Sequence, residues 1–199
     1  MAVSAKEVKE LREQTGAGMM DCKKALSECS GNREDAVKLL RTKGLADAAK
    51  RSGRAANEGL VDSYIHAGGK IGVLVEVNSE TDFVARNDDF KAFVHDVAMH
   101  IAAAAPKYIS REDVPADVIE AELSIYKEQA KATGKPENIL EKIATGKLDK
   151  YFEQICLLEQ PFVKDDKLTV EQLLGELVGK IGENIGIRRF VRFELGKDS

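Results

Sequence analysis

Tryptophan is missing from this sequence, and aromatic residues together make up only 6% of it. That disfavours a carbohydrate platform or a base-stacking surface, both of which are built from aromatic faces. Cysteine is scarce. Cys22, Cys29 and Cys156 are too few for a disulfide framework, and their odd number suits a reducing compartment. They make no four-ligand zinc site without histidine, and His66, His95 and His100 lack ligand spacing, so neither a metal nor a cofactor is expected. Basic charge is not in excess: 30 Lys+Arg stand against 34 Asp+Glu, a formal net charge of -4. Non-specific affinity for nucleic acid comes from neutralising phosphates, so any basic site has to be local. There is no long apolar run. The most apolar stretch, Met99 to Ala105, is interrupted by His100 and stopped by Pro106, far short of the roughly 20 residues that span a membrane. Met1 to Gln14 carries charges throughout and does not read as a secretory signal. A cytoplasmic protein without a membrane partner is expected.

What is present suffices for a core. Hydrophobic residues are 43% and charged residues 32% of 199, a globular balance for one or two domains. Ser4 and Glu7 form a capping box ahead of an apolar stripe through Val8 and Leu11. Thr15-Gly16-Ala17-Gly18 breaks that helix, a second runs from Met19 to about Ser27, and Asn32 caps a third that Gly44 is placed to end. Residues 45–58, rich in alanine with Lys50, Arg51 and Arg54, read as a solvated helical linker. Leu60–His66 and Ile71–Val77 are β-rich runs around the turn Ala67-Gly68-Gly69-Lys70. Asp88–Ala104 has Phe90, Phe93, Val94, Val97 and Ile101 at helical spacing. Pro115 opens a helix that Gly134-Lys135-Pro136 stops. Further helices are expected over Glu137–Ala144, from Lys147, and over Val170–Ile181. Gln160-Pro161-Phe162 reads as extended chain. Ile185–Leu195 is a strand candidate, with Val191, Phe193 and Leu195 on one face reading as core and its arginines exposed or pairing with a partner. The fold class is α+β: a helical head and a helix-rich body with a small antiparallel sheet.

Catalytic constellations are missing. Gly175 to Lys180 is one residue short of a phosphate-binding loop and no Ser or Thr follows. There is no nucleophile elbow, and nothing pairs a nucleophile with a base. Arg188, Arg189 and Arg192 invite an RNA-binding reading, but the strand lacks glycines beside its aromatics and has no second aromatic strand.

Two segments stand out. Met19 and Met20 follow flexible glycines, and helical neighbours point about 100° apart. One in the core and one outside is the ordinary outcome; exposed methionine there is an adaptable contact surface. In Glu80-Thr81-Asp82-Phe83-Val84-Ala85-Arg86, a phenylalanine sits in a polar strand-to-helix connector. It either plugs the body's own core, the usual outcome, or projects as an anchor.

Leu11-Arg12-Glu13-Gln14-Thr15-Gly16-Ala17-Gly18-Met19-Met20-Asp21-Cys22-Lys23-Lys24-Ala25-Leu26 resembles the N-terminal signature of the bacterial translation elongation factor Ts family. Glu80 to Arg86 resembles its second signature. Glu159-Gln160-Pro161-Phe162-Val163 and Lys180-Ile181-Gly182-Glu183-Asn184-Ile185 are similar to later family segments. The resemblance runs in order over essentially the whole chain.

The resemblance implies a guanine nucleotide exchange factor, not an enzyme and without catalytic residues. Its partner would be elongation factor Tu, GDP-bound and nucleotide-free, with no direct contact to nucleic acid. It implies a ubiquitin-associated-like three-helix domain over 1–44, a linker over 45–58 and an α+β core over 59–199, with one core unit where longer members have two. Thr81, Asp82, Phe83 and Val84 would disturb the partner's magnesium and phosphate site, with Thr81 a helix cap, and Met19 and Met20 would lie on the head's contact surface. A homodimer is expected from the final strand, through a sheet face showing Phe190 beside Arg188 and Arg192; the competing reading keeps that patch for elongation factor Tu and leaves the free protein a monomer. The rival reading is an RNA-binding accessory protein using that strand.

Overall fold

The computed structural model of the chain describes residues 3–131 and 136–197. It has two compact units. One joins the chain up to Met99 with the segment from Glu171 onward, and the other is His100–Val170. The class is α+β, as the sequence indicates.

The first unit opens with helices α1 (Ala5–Thr15), α2 (Met19–Glu28) and α3 (Arg33–Arg51). The capping box forms: Glu7 N–H donates to Ser4 Oγ and Ser4 N–H to the Glu7 carboxylate. The Ser4 N–H bond, chiefly, holds the Glu7 carboxyl below its ordinary pKa. Asn32 Oδ1 accepts from Glu34 and Asp35 N–H and caps α3. Val8, Leu11, Cys22, Ala25, Leu26 and Ala36 bury together as the head's core.

Gly44 does not end α3, which continues seven residues to Arg51 and takes in half of the expected linker. Close approach explains the glycine. A Cβ at Gly44 would lie 2.9 Å from the Gly175 carbonyl oxygen, on helix α8 (Val170–Ile181). Arg41 and Glu176 pair at 2.7 Å beside this contact.

Strands β1 (Glu58–Ile65) and β2 (Ile71–Ser79) form the expected hairpin. They join β5 (Ile185–Glu194) in an antiparallel sheet of order β1-β2-β5. Val73, Val75 and Val77 of β2 are buried on one face. Helix α5 (Asp88–Ala104) lies on that side, where His95 meets Asp62 at 3.3 Å and stacks edge-on against Tyr64. The alternation expected along β5 fails. Glu76 faces Arg189 while Val77 faces Ile187, so Arg188 is the extra residue of a bulge. A bulge reverses the side to which all later side chains point. Ile185 and Ile187 are buried on the covered face, but beyond the bulge Phe190, Arg192 and Glu194 take that face. Val191, Phe193 and Leu195, expected as core, are exposed on the other, with Val61, Ile65 and Leu74.

The second unit pairs α6 (Ala116–Lys131) with α7 (Glu137–Ile155). The expected stop at Gly134-Lys135 lies outside the described residues. The two helices expected after Glu137 are one, because Gly146 is accommodated within α7. Val114, Phe152, Ile155 and Cys156 form its core, and burial pushes the Cys156 thiol up to about 11. Arg111 stacks 4.5 Å over the Phe152 ring and forks between Asp149 and Glu159. Strands β3 (Pro161–Phe162) and β4 (Asp165–Thr169) form a short hairpin; the second was not foreseen.

His100 is buried in this unit. Its Nδ1 accepts from Val163 N–H at 3.2 Å, so Nε2 carries the proton and donates to Gln160 Oε1 at 3.0 Å. Gln160 in turn donates to the Gln154 carbonyl. Burial depresses the ring's pKa below 6.5, against the Gln160 bond.

Gly44→Ala should destabilise by about 1–3 kcal/mol through overpacking on backbone. Gly146→Ala, with nothing within 4 Å of its Cβ, should stabilise by about 0.5–1 kcal/mol through helix propensity; denaturant midpoints compare them. For His100, the unfolded chain takes up a proton as pH falls through about 6.5 while the folded chain does not. Stability is therefore full above that pH and declines below it. Between pH 7.5 and 5.5 the denaturation midpoint should fall more steeply in the wild type than in His100→Gln.

Candidate functional site

The connector between β2 and α5, Glu80 to Asn87, is eight residues fastened around one free side chain. Helix α4 (Asp82–Ala85) is a single turn, too short to persist on its own propensity. Its fixtures come from its flanks. Ser79, fully buried, donates its hydroxyl to the Thr81 carbonyl at 2.9 Å. Val84 is 7% exposed and roots the turn in the core. Asn87 N–H donates back to the Val84 carbonyl, and Asn87 Oδ1 caps α5 by accepting from Asp89 N–H at 2.8 Å. Asp82 pairs with Arg86 at 2.6 Å on the exposed side.

Phe83 sits in the middle of this frame and is 77% exposed. It is not a core plug; the connector's core contact is the next residue, Val84. Thr81 occupies the N-cap position with extended backbone, but its hydroxyl makes no capping bond. Instead it donates to Glu183 Oε1 at 2.8 Å, while Thr81 N–H donates to Glu183 Oε2 at 3.0 Å. Glu80 mirrors this pairing: its Oε1 accepts from Asn184 N–H at 2.6 Å. Arg54 also reaches Glu80 at 3.3 Å, and its carbonyl accepts from Asn184 Nδ2. The Asn184 bond, chiefly, holds the Glu80 carboxyl below its ordinary pKa. Glu183 and Asn184, about a hundred residues away in sequence, are the part of the site that reading for chemistry missed. Their one signal was membership of the segment Lys180–Ile185.

In the head, Gly16 ends α1 in the left-handed conformation at φ 67° and donates to the Arg12 carbonyl. The Thr15 hydroxyl accepts from Ala17 N–H and steers the chain into α2. Met19 and Met20 start α2 and are 47% and 74% exposed. Neither enters the core; Cys22, Ala25 and Leu26 supply that face instead. Lys180 lies against Gly16 and pairs with Asp89 at the start of α5 at 2.7 Å.

Two of the three terminal arginines are occupied within the protein: Arg189 pairs with Glu76 and Arg192 with Glu194, each at 2.6 Å. Among the described residues no three His, Cys, Asp or Glu are grouped to hold a metal ion, and no helix is long and apolar enough to cross a membrane. The site can offer shape, an exposed aromatic and exposed thioethers.

Residues 4–197 match the family model described as Elongation factor TS. The chain is 63% identical over 197 residues to elongation factor Ts of Geobacter metallireducens, covering 99% of this chain and 91% of that one. It is 62% identical to that of Geobacter sulfurreducens with the same coverage. To that of Carboxydothermus hydrogenoformans it is 60% identical, over 98% of this chain and 90% of the other. The chain belongs to the elongation factor Ts family of translation elongation factors.

Proposed function

We propose that this protein binds elongation factor Tu in its GDP-bound and nucleotide-free forms and promotes GDP release, performing no chemistry of its own. An exchange factor needs only to bind the nucleotide-free state better than the GDP-bound one. By linkage GDP weakens its binding in the same ratio. The observation that carries the reading is Phe83, a large apolar side chain held outward by a fastened connector. Met19 and Met20 add an adaptable contact on the head. In this reading residues 1–44 dock as the head, 45–58 link, and 59–199 form the core. Phe83 and Asp82 are the wedge that disturbs the partner's magnesium and phosphate site, and Thr81 and Val84 hold it in place. No nucleic-acid contact is invoked, and the protein works in the cytoplasm.

Full burial of Phe83 in the partner would contribute about 1.5–3 kcal/mol, or more than tenfold in an equilibrium or a rate. Catalytic amounts of the protein should speed release of labelled GDP from purified elongation factor Tu many-fold. Phe83→Ala should cut that acceleration about tenfold or more and leave the thermal midpoint unchanged. A lowered midpoint with intact exchange would make Phe83 a structural residue.

A second surface supports self-association. The open sheet face presents Val61, Ile65, Leu74, Val191, Phe193 and Leu195, and an apolar patch of this kind on a soluble domain marks an interaction site. The homodimer expected from the sequence is therefore proposed through Phe193 and Val191, not through Phe190. A twofold axis would place the same face on both subunits. Sedimentation at micromolar concentration should give twice 21.8 kDa, and Phe193→Glu should return the monomer. A single wild-type species near 21.8 kDa would exclude the dimer at that concentration.

A further inference from the structure

The exposed phenylalanine stands on a turn that does not hold itself. A four-residue helix forms one turn of hydrogen bonds and has no cooperativity to draw on, and the Thr81 hydroxyl does not cap it. What closes the turn on its N-terminal side is a carboxylate from another part of the chain. Glu183 takes the Thr81 N–H on one oxygen and the Thr81 O–H on the other, at 3.0 and 2.8 Å. The Thr81 carbonyl is taken by Ser79, so every polar group of Thr81 is engaged. Gly182, at φ 86°, allows the sharp exit from α8 that brings Glu183 round to this position. The reverse bond from Asn184 N–H to Glu80 at 2.6 Å locks the same two turns together a second time.

We infer that Glu183 is a positioning residue for Phe83: its carboxylate fixes the connector that presents the wedge, and it does so without touching the partner itself. The inference rests on the exchange reading above. Its physical content is preorganisation. A connector already ordered in its binding geometry loses less conformational freedom on docking, so more of the Phe83 contact appears as useful binding. The chemistry favours a carboxylate. An amide and a hydroxyl both donate to Glu183, one to each oxygen, and both bonds are charge-assisted. Glutamine keeps both contacts only if the Thr81 hydroxyl turns round to accept from its amide, and both bonds then lose the carboxylate's charge and weaken. A purely structural role predicts something else, namely general destabilisation with no special relation to Phe83.

The test combines amide hydrogen exchange of the isolated full-length protein with GDP release from elongation factor Tu, for wild type, Glu183→Gln, Phe83→Ala and the double variant. In Glu183→Gln the amides of residues 81–85 should exchange faster while those of Val73–Val77 in β2 keep their protection. GDP release should slow about fivefold, with no further slowing when the change is added to Phe83→Ala. Wild-type protection of residues 81–85 in Glu183→Gln would overturn the inference whatever the rate. A slowing that multiplies with that of Phe83→Ala would also overturn it, since Glu183 would then act on the fold or on the partner directly. If Glu183→Gln loses the β2 protection, Thr81→Val, which deletes only the hydroxyl bond, carries the same comparison. Absence of GDP release by the wild type, with residues 81–85 loosened in Glu183→Gln, would overturn the exchange reading and uphold the clamp.

Discussion

The pairing of β2 with β5 is the constraint from which the candidate site follows. Ser79 and Ile185 are register partners at one end of that ladder, so the turn leaving β2 and the turn entering β5 must lie side by side. Both turns carry a glutamate, and each glutamate bonds the neighbouring turn's backbone. Backbone N–H groups in such turns have no ladder partner and would otherwise depend on water. Charge-assisted acceptors satisfy them with stronger bonds than neutral groups would. The segment about Phe83 is thereby ordered by its flanks, and the aromatic itself stays free of internal duties.

The same ladder sets the second surface. With three strands and helices on one side, the sheet has an open face, and the bulge at Arg188 decides which residues occupy it. Without the extra residue, Phe190 and Arg192 would face outward. With it, they turn to the covered side, where Arg192 meets Glu194, and Val191 and Phe193 face out. An apolar open face on a sheet flanked by paired charges such as Glu76 and Arg189 has the mixed character of an interaction surface.

Much of the architecture was legible because it is local. The capping box at Ser4, the Asn32 cap, the hairpin around Gly68-Gly69 and the stripe through Phe90, Phe93, Val94 and Val97 are each written within a few residues, and each formed. The errors have non-local causes. Gly44 looks like a helix terminator, yet it is needed where α8 approaches α3, and local sequence does not distinguish a glycine that ends a helix from one that admits a neighbour. The β5 face was misassigned because strict alternation holds only in a strand without a bulge. The residues of the candidate site divide in the same way. Phe83 was visible as an apolar residue in a polar connector, but Glu183 has no local mark and gains its meaning only from a partner about a hundred positions away.

The head is fastened to the rest of its unit at several points. Gly44 against Gly175 sets the distance between α3 and α8, Arg41–Glu176 flanks it, and Lys180 runs past Gly16 to Asp89 at the start of α5. Exposed ion pairs of this kind contribute little stability singly. The backbone-to-backbone contact is different, since interiors are close-packed and do not deform smoothly. Asp89 lies in the first turn of the helix that Asn87 caps, and Asn87 closes the connector bearing Phe83. Lys180, three residues before Glu183, thus reaches the head corner leading to Met19 and the far end of the Phe83 connector, while Glu183 holds its near end. The short stretch from Lys180 to Asn184 therefore fastens the segments that bear both sets of exposed apolar side chains, although it presents none of them itself.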